Sequence, residues 1–317
     1  MGMDFWKAQR RARKQTAVYL TLFTALTLVI AFLIEAGLRY IGQEQYDPSW
    51  PVCGLIFLTL TFTVAFVQYA FLLAEGGEYV AKSIGARLAD PANPNEAQFL
   101  NIVRECAVAS SLPVPKAYVI EADQINAFAA GLSTDDAVIA VTRGALLQLT
   151  RAELQGVVAH EFGHIRNGDA RIGLRLAAML MGFYCILYVA FRTFEVSGRV
   201  RSRGSEKNPV LLMALIFTLA GAIGWLVGSI LKAAVSRQRE YLADASSVQF
   251  TRNPKGLAGA LRKILHETKK DMPKAGMAYS HLYLDDRHSI FATHPPLKRR
   301  IEAIDPQPSP HLLKRGE

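Results

Sequence analysis

The sequence predicts a mainly helical membrane protein, α+β in its soluble part, with two to four transmembrane helices and a small β-sheet or hairpin. Three observations predict it. Mean hydropathy is +0.17 beside only 20% charged residues, which argues against a disordered tail and an ordinary cytosolic globule. Four long runs carry no charge: Ala17–Ile34, Val52–Ala74, Leu176–Phe191 and Val210–Leu231. Two polar stretches, 75–171 and 232–317, alternate with them, and the first contains short β-branched segments. At 317 residues the chain suits one large domain or two small ones. Its formal charge of +9 alone suggests nucleic acid, but no binding module accompanies it and the apolar content points to lipid. Cys53, Cys106 and Cys185 form no CxxC pair, which excludes a disulfide scaffold and a thiolate zinc cluster.

Residues 1–74 read as a basic cytoplasmic segment and two membrane helices. Lys7, Arg10, Arg11, Arg13 and Lys14 precede an apolar run too long for a signal-peptide core, so the cluster sets orientation rather than marking a cleaved leader. The loop Arg39–Pro51 is poor in basic residues, as an exported loop should be, and two crossings return the chain to the cytoplasm near Glu75. Residues 75–171 then read as the first part of a soluble domain. Asn95 is the expected N-cap of a helix over Glu96–Ser110, ended by Pro113 and Pro115. Ala117–Glu121 and Ala137–Thr142 are strand-like, and the turn-forming residues after Asn126–Ala130 predict a hairpin. Thr150 with Glu153 forms a capping box that starts a helix over Thr150–Asn167.

Residues 172–231 hold the third and fourth apolar runs. Leu176–Phe191 is bounded by Arg175 and Arg192, and its length leaves open a span and, against it, a buried core helix or a partly inserted hairpin. Residues 232–317 are polar and helical until the proline-rich Pro306–Pro310, which reads as an exposed linker or a truncation point.

The string His160-Glu161-Phe162-Gly163-His164 carries the chemistry. On a helix, residues four apart share a face, so both imidazoles reach one metal ion while Glu161 sits one position round. Neutral imidazoles suit zinc, and a carboxylate beside the activated water takes its proton. A third ligand is needed, and Ser236–Asp244 offers Glu240 and, one turn on, Asp244. Glu240 suits the metal and Asp244 the free N–H of a ligating histidine. The alternative is that both acids pair with Arg237 and Arg239 on a solvated face.

These strings, with Asn126-Ala127-Phe128, Asn167-Gly168-Asp169, Thr293-His294-Pro295-Pro296-Leu297 and Arg300-Ile301, occur in an order that resembles the HtpX-like membrane zinc metallopeptidases, grouped with the CAAX prenyl proteases. The resemblance covers about 126–301 and the paired amino-terminal helices. It implies a zincin-like, gluzincin-type endopeptidase of the cell membrane, multi-pass, with its site facing the cytoplasm and often serving membrane-protein quality control. It implies one zinc ion per chain on His160, His164 and Glu240, with Glu161 as base. It also implies an edge strand at Asn126, Ala127 and Phe128 on which a protein or peptide substrate is laid as an added strand, which fits main-chain recognition without sequence demands. Expected partners are protein substrates and the lipid bilayer, not nucleic acid.

His294 has two readings: a donor to the oxyanion of the attacked carbonyl, or part of a helix start set by Pro295 and Pro296. His266, His281, His288 and His311 lack matching context, although His281 and His288 flank Asp285 and Asp286. Because His160, His164 and Glu240 must share one ion, the chain between them crosses the bilayer an even number of times. Two crossings would export the arginine-rich loop Arg192–Pro209 against the positive-inside tendency, yet the apolarity of Val210–Leu231 favours spanning. The fourth run leads almost directly into Lys232–Asp244, predicting one continuous helix and a site near the membrane surface. The competing functions are a catalytically silent zinc-bearing scaffold, a CAAX-type processing protease, and a transporter, for which the apolar runs lack ionisable groups.

Overall fold

The computed structural model describes residues 5–42, 49–199, 209–266 and 294–305. In chain order these form α1 (Phe5–Gly42), α2 (Val52–Ser83), β1 (Arg87–Leu88), α3 (Pro94–Ser110), β2 (Lys116–Ile120), β3 (Ala127–Ala130) and β4 (Val138–Thr142). There follow α4 (Arg143–Gln148), α5 (Arg151–Asn167), α6 (Asp169–Arg199), α7 (Pro209–Thr251), α8 (Pro254–His266) and α9 (Leu297–Ile304). The tail Pro306–Pro310, residues 200–208 of the loop Arg192–Pro209, and His281, Asp285, Asp286, His288 and His311 lie outside the described residues.

Among the described residues three helical stretches are long and apolar enough to cross a membrane: Ala17–Tyr40, Asp169–Glu195 and Met213–Thr251; the apolar stretch Val52–Val67 is shorter. The third run is longer than its uncharged core suggested. Arg175 and Arg192 bound the apolar residues but not the helix, and the 27 residues of Asp169–Glu195 rise roughly 40 Å. α7 is a single helix from Pro209 to Thr251, as the sequence predicted for its two parts.

The chain divides into two compact units. One joins Lys14–Ala74 to Gly173–Val235. Its core gathers Phe23, Ile30, Ile34, Phe57, Phe183 and Ile186, with the Phe23 and Phe183 rings 5.6 Å apart. A Cβ at Gly182 would lie 2.8 Å from the Thr61 carbonyl oxygen, so only glycine permits this helix contact. Glu35 is buried, and it explains itself: its Oε2 accepts from the Cys53 and Gly54 amides at 3.0 and 3.1 Å, capping α2, while Arg39 pairs with Oε1 at 3.0 Å.

The other unit joins Glu75–Ile172 to Ser236–Glu317, with the start of α1 up to Arg13. It contains a four-stranded sheet in the order β1-β2-β4-β3. β3 and β4 form the expected antiparallel hairpin, with Phe128 opposite Ala140, while β2 lies parallel to β4 on its far side. Asp136 closes the connection, accepting from the Leu132 amide at 3.1 Å and the Ser133 amide at 2.5 Å. β3 is therefore an edge strand. One sheet face packs against Phe99, Ile102, Val157, Phe162, Leu257 and Leu261 from α3, α5 and α8. The other face buries Phe128, Tyr118 and Val138 with Ala81 and Ile84 at and just beyond the end of α2. α3 begins two residues earlier than the sequence predicted. Asn93, not Asn95, is the N-cap, and its side chain accepts from the Asn95 amide because Pro94 already supplies the first-turn φ.

α5, the helix that carries the histidines, is held at both ends. Thr150 and Glu153 form the predicted capping box, and Gly168, at φ 64°, closes the other end in the left-handed conformation. α8 lies hard against its middle, since a Cβ at Gly156 would come within 2.5 Å of the Leu257 amide. Thr150→Ala is expected to lower unfolding stability by about 1 kcal/mol in a urea titration, the usual cost of a lost N-cap.

Candidate metal centre

The 3.6-residue period of α5 puts His160 and His164 on one face, with their Nε2 atoms 3.1 Å apart. α7 supplies Glu240, whose Oε2 is 3.6 Å from His160 Nε2 and whose Oε1 is 3.4 Å from His164 Nε2. One donor atom from each of the three side chains falls within 4.8 Å of the others. His160 and Glu240 are buried, whereas the His164 side chain keeps 20% of its exposure, so the cluster opens to solvent on that side.

A glycine allows this approach. A Cβ at Gly163 would meet Ala243 Cα and Ser246 Cβ at 3.0 Å each, tighter than most packed pairs tolerate. The small residue within the HExxH string thus lets α7 come close enough for Glu240 to reach the imidazoles. The solvated-face alternative for Glu240 and Asp244 fails, since both are 3% exposed. Their basic neighbour is Arg300 of α9, fully buried, which donates to Asp244 Oδ2 at 2.9 Å and Oδ1 at 2.7 Å. Its Nη1 lies 3.0 Å from Glu240 Oε2, out of line for a hydrogen bond. Arg239 turns instead to Asp169 and to the carbonyl oxygen of Asn167, at 2.7 Å from the latter.

Each histidine has a carboxylate behind it. His160 Nδ1 is 3.0 Å from Asp244 Oδ1, and His164 Nδ1 is 2.7 Å from Asp169 Oδ2. His294 joins the cluster, its Nδ1 at 3.1 Å from Glu240 Oε1. α9 does start just after the two prolines, with no side-chain cap, so His294 is not spent on capping. Glu161 is 4% exposed and forms no hydrogen bond among the described residues, while its charge is felt at Arg300. His266 lies exposed at the end of α8.

The electrostatics suit a cation. Burial alone lowers both imidazoles, yet Asp244 and Glu240 hold His160 above its ordinary value, and Asp169 and Glu240 hold His164 well above it. Burial pushes Glu240 up, but His294 and Arg300, with the two imidazoles, hold it well below the carboxylate range. The buried carboxylates Glu161, Glu240 and Asp244, with the partly buried Asp169, outnumber the guanidiniums Arg239 and Arg300 by two. Two protons on the imidazoles balance that excess, and so does one divalent cation. Glu240 Oε2, buried without a hydrogen bond, also seeks a partner. Two imidazole nitrogens and a carboxylate oxygen are the donor set that suits zinc and its neighbours.

The strand residues lie in the same unit. Asn126 Oδ1 accepts from the Ala127 amide at 2.8 Å, and the Asn126 amide donates to Thr142 Oγ1 at 2.9 Å. The Phe128 ring is 1% exposed beneath the sheet, so what β3 offers outward is backbone. The Thr142 amide donates to the Asn126 carbonyl, and by antiparallel alternation the main-chain groups of Ala127 and Ala129 point to the free edge. Asp169, Arg239 and Arg300 were not assigned roles from the sequence. Asp169 and Arg300 lay inside recognised strings, but only the packing of α5, α7 and α9 reveals what they touch.

The family model of peptidase family M48 matches residues 93–307. This chain belongs to that family. It is similar to a protein named Protease HtpX homolog from Streptococcus uberis, with 39% identity over 311 residues, 95% of this chain and 99% of the relative. A protein of the same name from Caldanaerobacter subterraneus subsp. tengcongensis is 36% identical over 289 residues, 89% of this chain and 93% of the relative. The crystal structure of S. mikatae Ste24p matches with a TM-score of 0.49 at 18% identity, covering 96% of this chain and 66% of that one. As an M48 metallopeptidase the chain acts on protein substrates with a metal cofactor, and its apolar helices make it a multi-pass membrane protein.

Gly163→Val is expected to force α5 and α7 apart and weaken metal binding by roughly 10- to 100-fold, the 1–3 kcal/mol typical of overpacking. Chelator competition on the purified chain measures it.

Proposed function

We propose that the chain is a zinc-dependent endopeptidase of the gluzincin type. His160, His164 and Glu240 would hold one zinc ion, and Glu161 serves as general base. The observation that carries this reading is the convergence of three donors within 4.8 Å from two helices, beside a second buried carboxylate. Zinc, when bound, supplies a Lewis acid for the scissile carbonyl and makes water nucleophilic near neutral pH.

The chain's own residues do the rest. Glu161 takes the proton of the attacking water and passes it to the departing amine. It suits a base because, among the described residues, no hydrogen bond occupies its carboxylate. His294, beside Glu240, donates to the oxygen that becomes negative as the carbonyl is attacked. Asp244 orients His160 from behind, and Arg300 keeps Asp244 ionised. The edge strand that the Asn126-Ala127-Phe128 string opens pairs with an extended substrate through the outward main-chain groups of Ala127 and Ala129, so selection falls on unfolded chain rather than on sequence.

We assign the peptidase domain to 75–171 and 232–317, with 1–74 and 172–231 as its membrane segments. The basic cluster Lys7–Lys14 before the first span supports a cytoplasmic site in a cell membrane. Glu240 sits on the same helix as the fourth apolar run, which favours membrane proteins and misfolded proteins as substrates in quality control.

Glu161→Gln should retain zinc and lose about 10²- to 10⁴-fold in casein cleavage, the usual range for a general base. Unchanged turnover would end the mechanism. His160→Ala should instead lose the metal, read by elemental analysis. The raised imidazoles also give a pH sign. Below their folded values protons occupy the nitrogens zinc needs, so apparent zinc affinity should rise as pH climbs from about 6 towards 9. A flat profile in chelator competition contradicts it.

A further inference from the structure

The two histidines are braced unequally. His160 Nδ1 lies 3.0 Å from Asp244 Oδ1 but out of line for a hydrogen bond. His164 Nδ1 lies 2.7 Å from Asp169 Oδ2 in hydrogen-bonding alignment. The better-made contact is thus the one with Asp169, the first residue of α6. Its other oxygen, Oδ1, receives Arg239, whose Nη2 also donates to the carbonyl oxygen of Asn167 at 2.7 Å. The Asp169 and Arg239 side chains are only 10% and 6% exposed.

We infer that Asp169 and Arg239 together form a positioning device for the metal centre. The inference rests on reading His164 as a metal ligand. Asp169 accepts the hydrogen of His164 Nδ1, which leaves the Nε2 lone pair facing His160 Nε2 and Glu240 Oε1. Arg239 fixes Asp169 so that the carboxylate cannot turn away. The same guanidinium donates to a carbonyl at the end of α5, because Asn167 is that helix's last residue. Arg239 immediately precedes Glu240 on α7, so this contact ties the helix bearing the carboxylate donor to the end of the helix bearing both imidazoles. One arginine therefore sets two things: the tautomer and tilt of His164, through Asp169, and the rotation of α7 that presents Glu240.

The residue types are those the task demands. A planar guanidinium reaches a carboxylate and a carbonyl at once through fixed donors, which an ammonium on a flexible stem does not reproduce. Asparagine at 169 offers one acceptor oxygen and an amide nitrogen that cannot accept. Neither residue touches the proposed path of the proton or the substrate, so their effect must act through His164 and Glu240.

The test uses the full-length chain in detergent and reads Zn²⁺ affinity by chelator competition, Co²⁺ absorption after substitution, and thermal stability. Asp169→Asn and Arg239→Gln should each weaken Zn²⁺ binding about 10- to 100-fold, the range for partners of metal-bound histidines. The double variant should lose less than the two single losses combined, because the Asp169–Arg239 contact is common to both, while Arg239 also holds α7 to the end of α5. Arg239→Lys should retain part of the affinity, and Asp169→Asn should alter the Co²⁺ bands. Zn²⁺ affinity within about twofold of wild type in Asp169→Asn overturns the inference, whatever happens to its thermal stability, since a purely structural brace predicts that pattern. If Asp169→Asn does not fold, Arg239→Lys carries the test, and unchanged Zn²⁺ affinity there overturns it equally. His164→Ala separates the two readings. If it keeps full zinc, the ligand assignment itself fails; if it loses zinc while Asp169→Asn does not, only the positioning role fails.

Discussion

The close approach of α5 and α7 at Gly163 is the constraint on which the rest of the catalytic unit depends. A helix pair normally stands 8–10 Å apart, held off by its side chains. Here a glycine faces Ala243, and a Cβ would meet Ala243 Cα at 3.0 Å. That contact brings a carboxylate from late in the chain to within 3.4–3.6 Å of two imidazole nitrogens from its middle. Around it the helix ends are pinned: Arg239 to the last carbonyl of α5, and Arg300 of α9 to Asp244 of α7. Three helices meet where charged groups accumulate, and the apolar core beneath them is ordinary.

Burying so many charges is costly unless each is paired. The site meets that condition through alternation. Behind each imidazole stands an aspartate, and behind each aspartate an arginine, Arg300 for Asp244 and Arg239 for Asp169. Two negative charges remain, which fits either a pair of imidazolium protons or a doubly charged ion. The same alternation makes the donor geometry stiff, since each imidazole is backed by a carboxylate that an arginine holds in turn. Stiffness of this kind lets a metal site favour one coordination geometry without rearrangement on binding.

The edge strand shows a second economy of design. β3 buries Phe128 on one side and Ala127 on the other, so its side chains belong to the two cores flanking the sheet. Its contribution outward is backbone alone. A strand with that division offers a neighbour main-chain groups rather than side chains.

Much was legible in the residues alone. Uncharged runs marked the membrane helices because lipid tolerates no unpaired charge, and Thr150 with Glu153 marked the start of α5 because helix ends need local acceptors. His160, Glu161 and His164 were readable because a single helix enforces their spacing. Boundaries were less so: Pro94 moved the start of α3, and α6 extends past the arginines that bound its apolar run. What only the tertiary structure decided is which distant partners meet: that Arg239 serves Asp169 rather than Glu240, that Arg300 is fully buried against Asp244, and that Asp169 stands behind His164. Local spacing is governed by the helical period and is written in the sequence. Pairing between helices is governed by their packing, and no short string of residues encodes it.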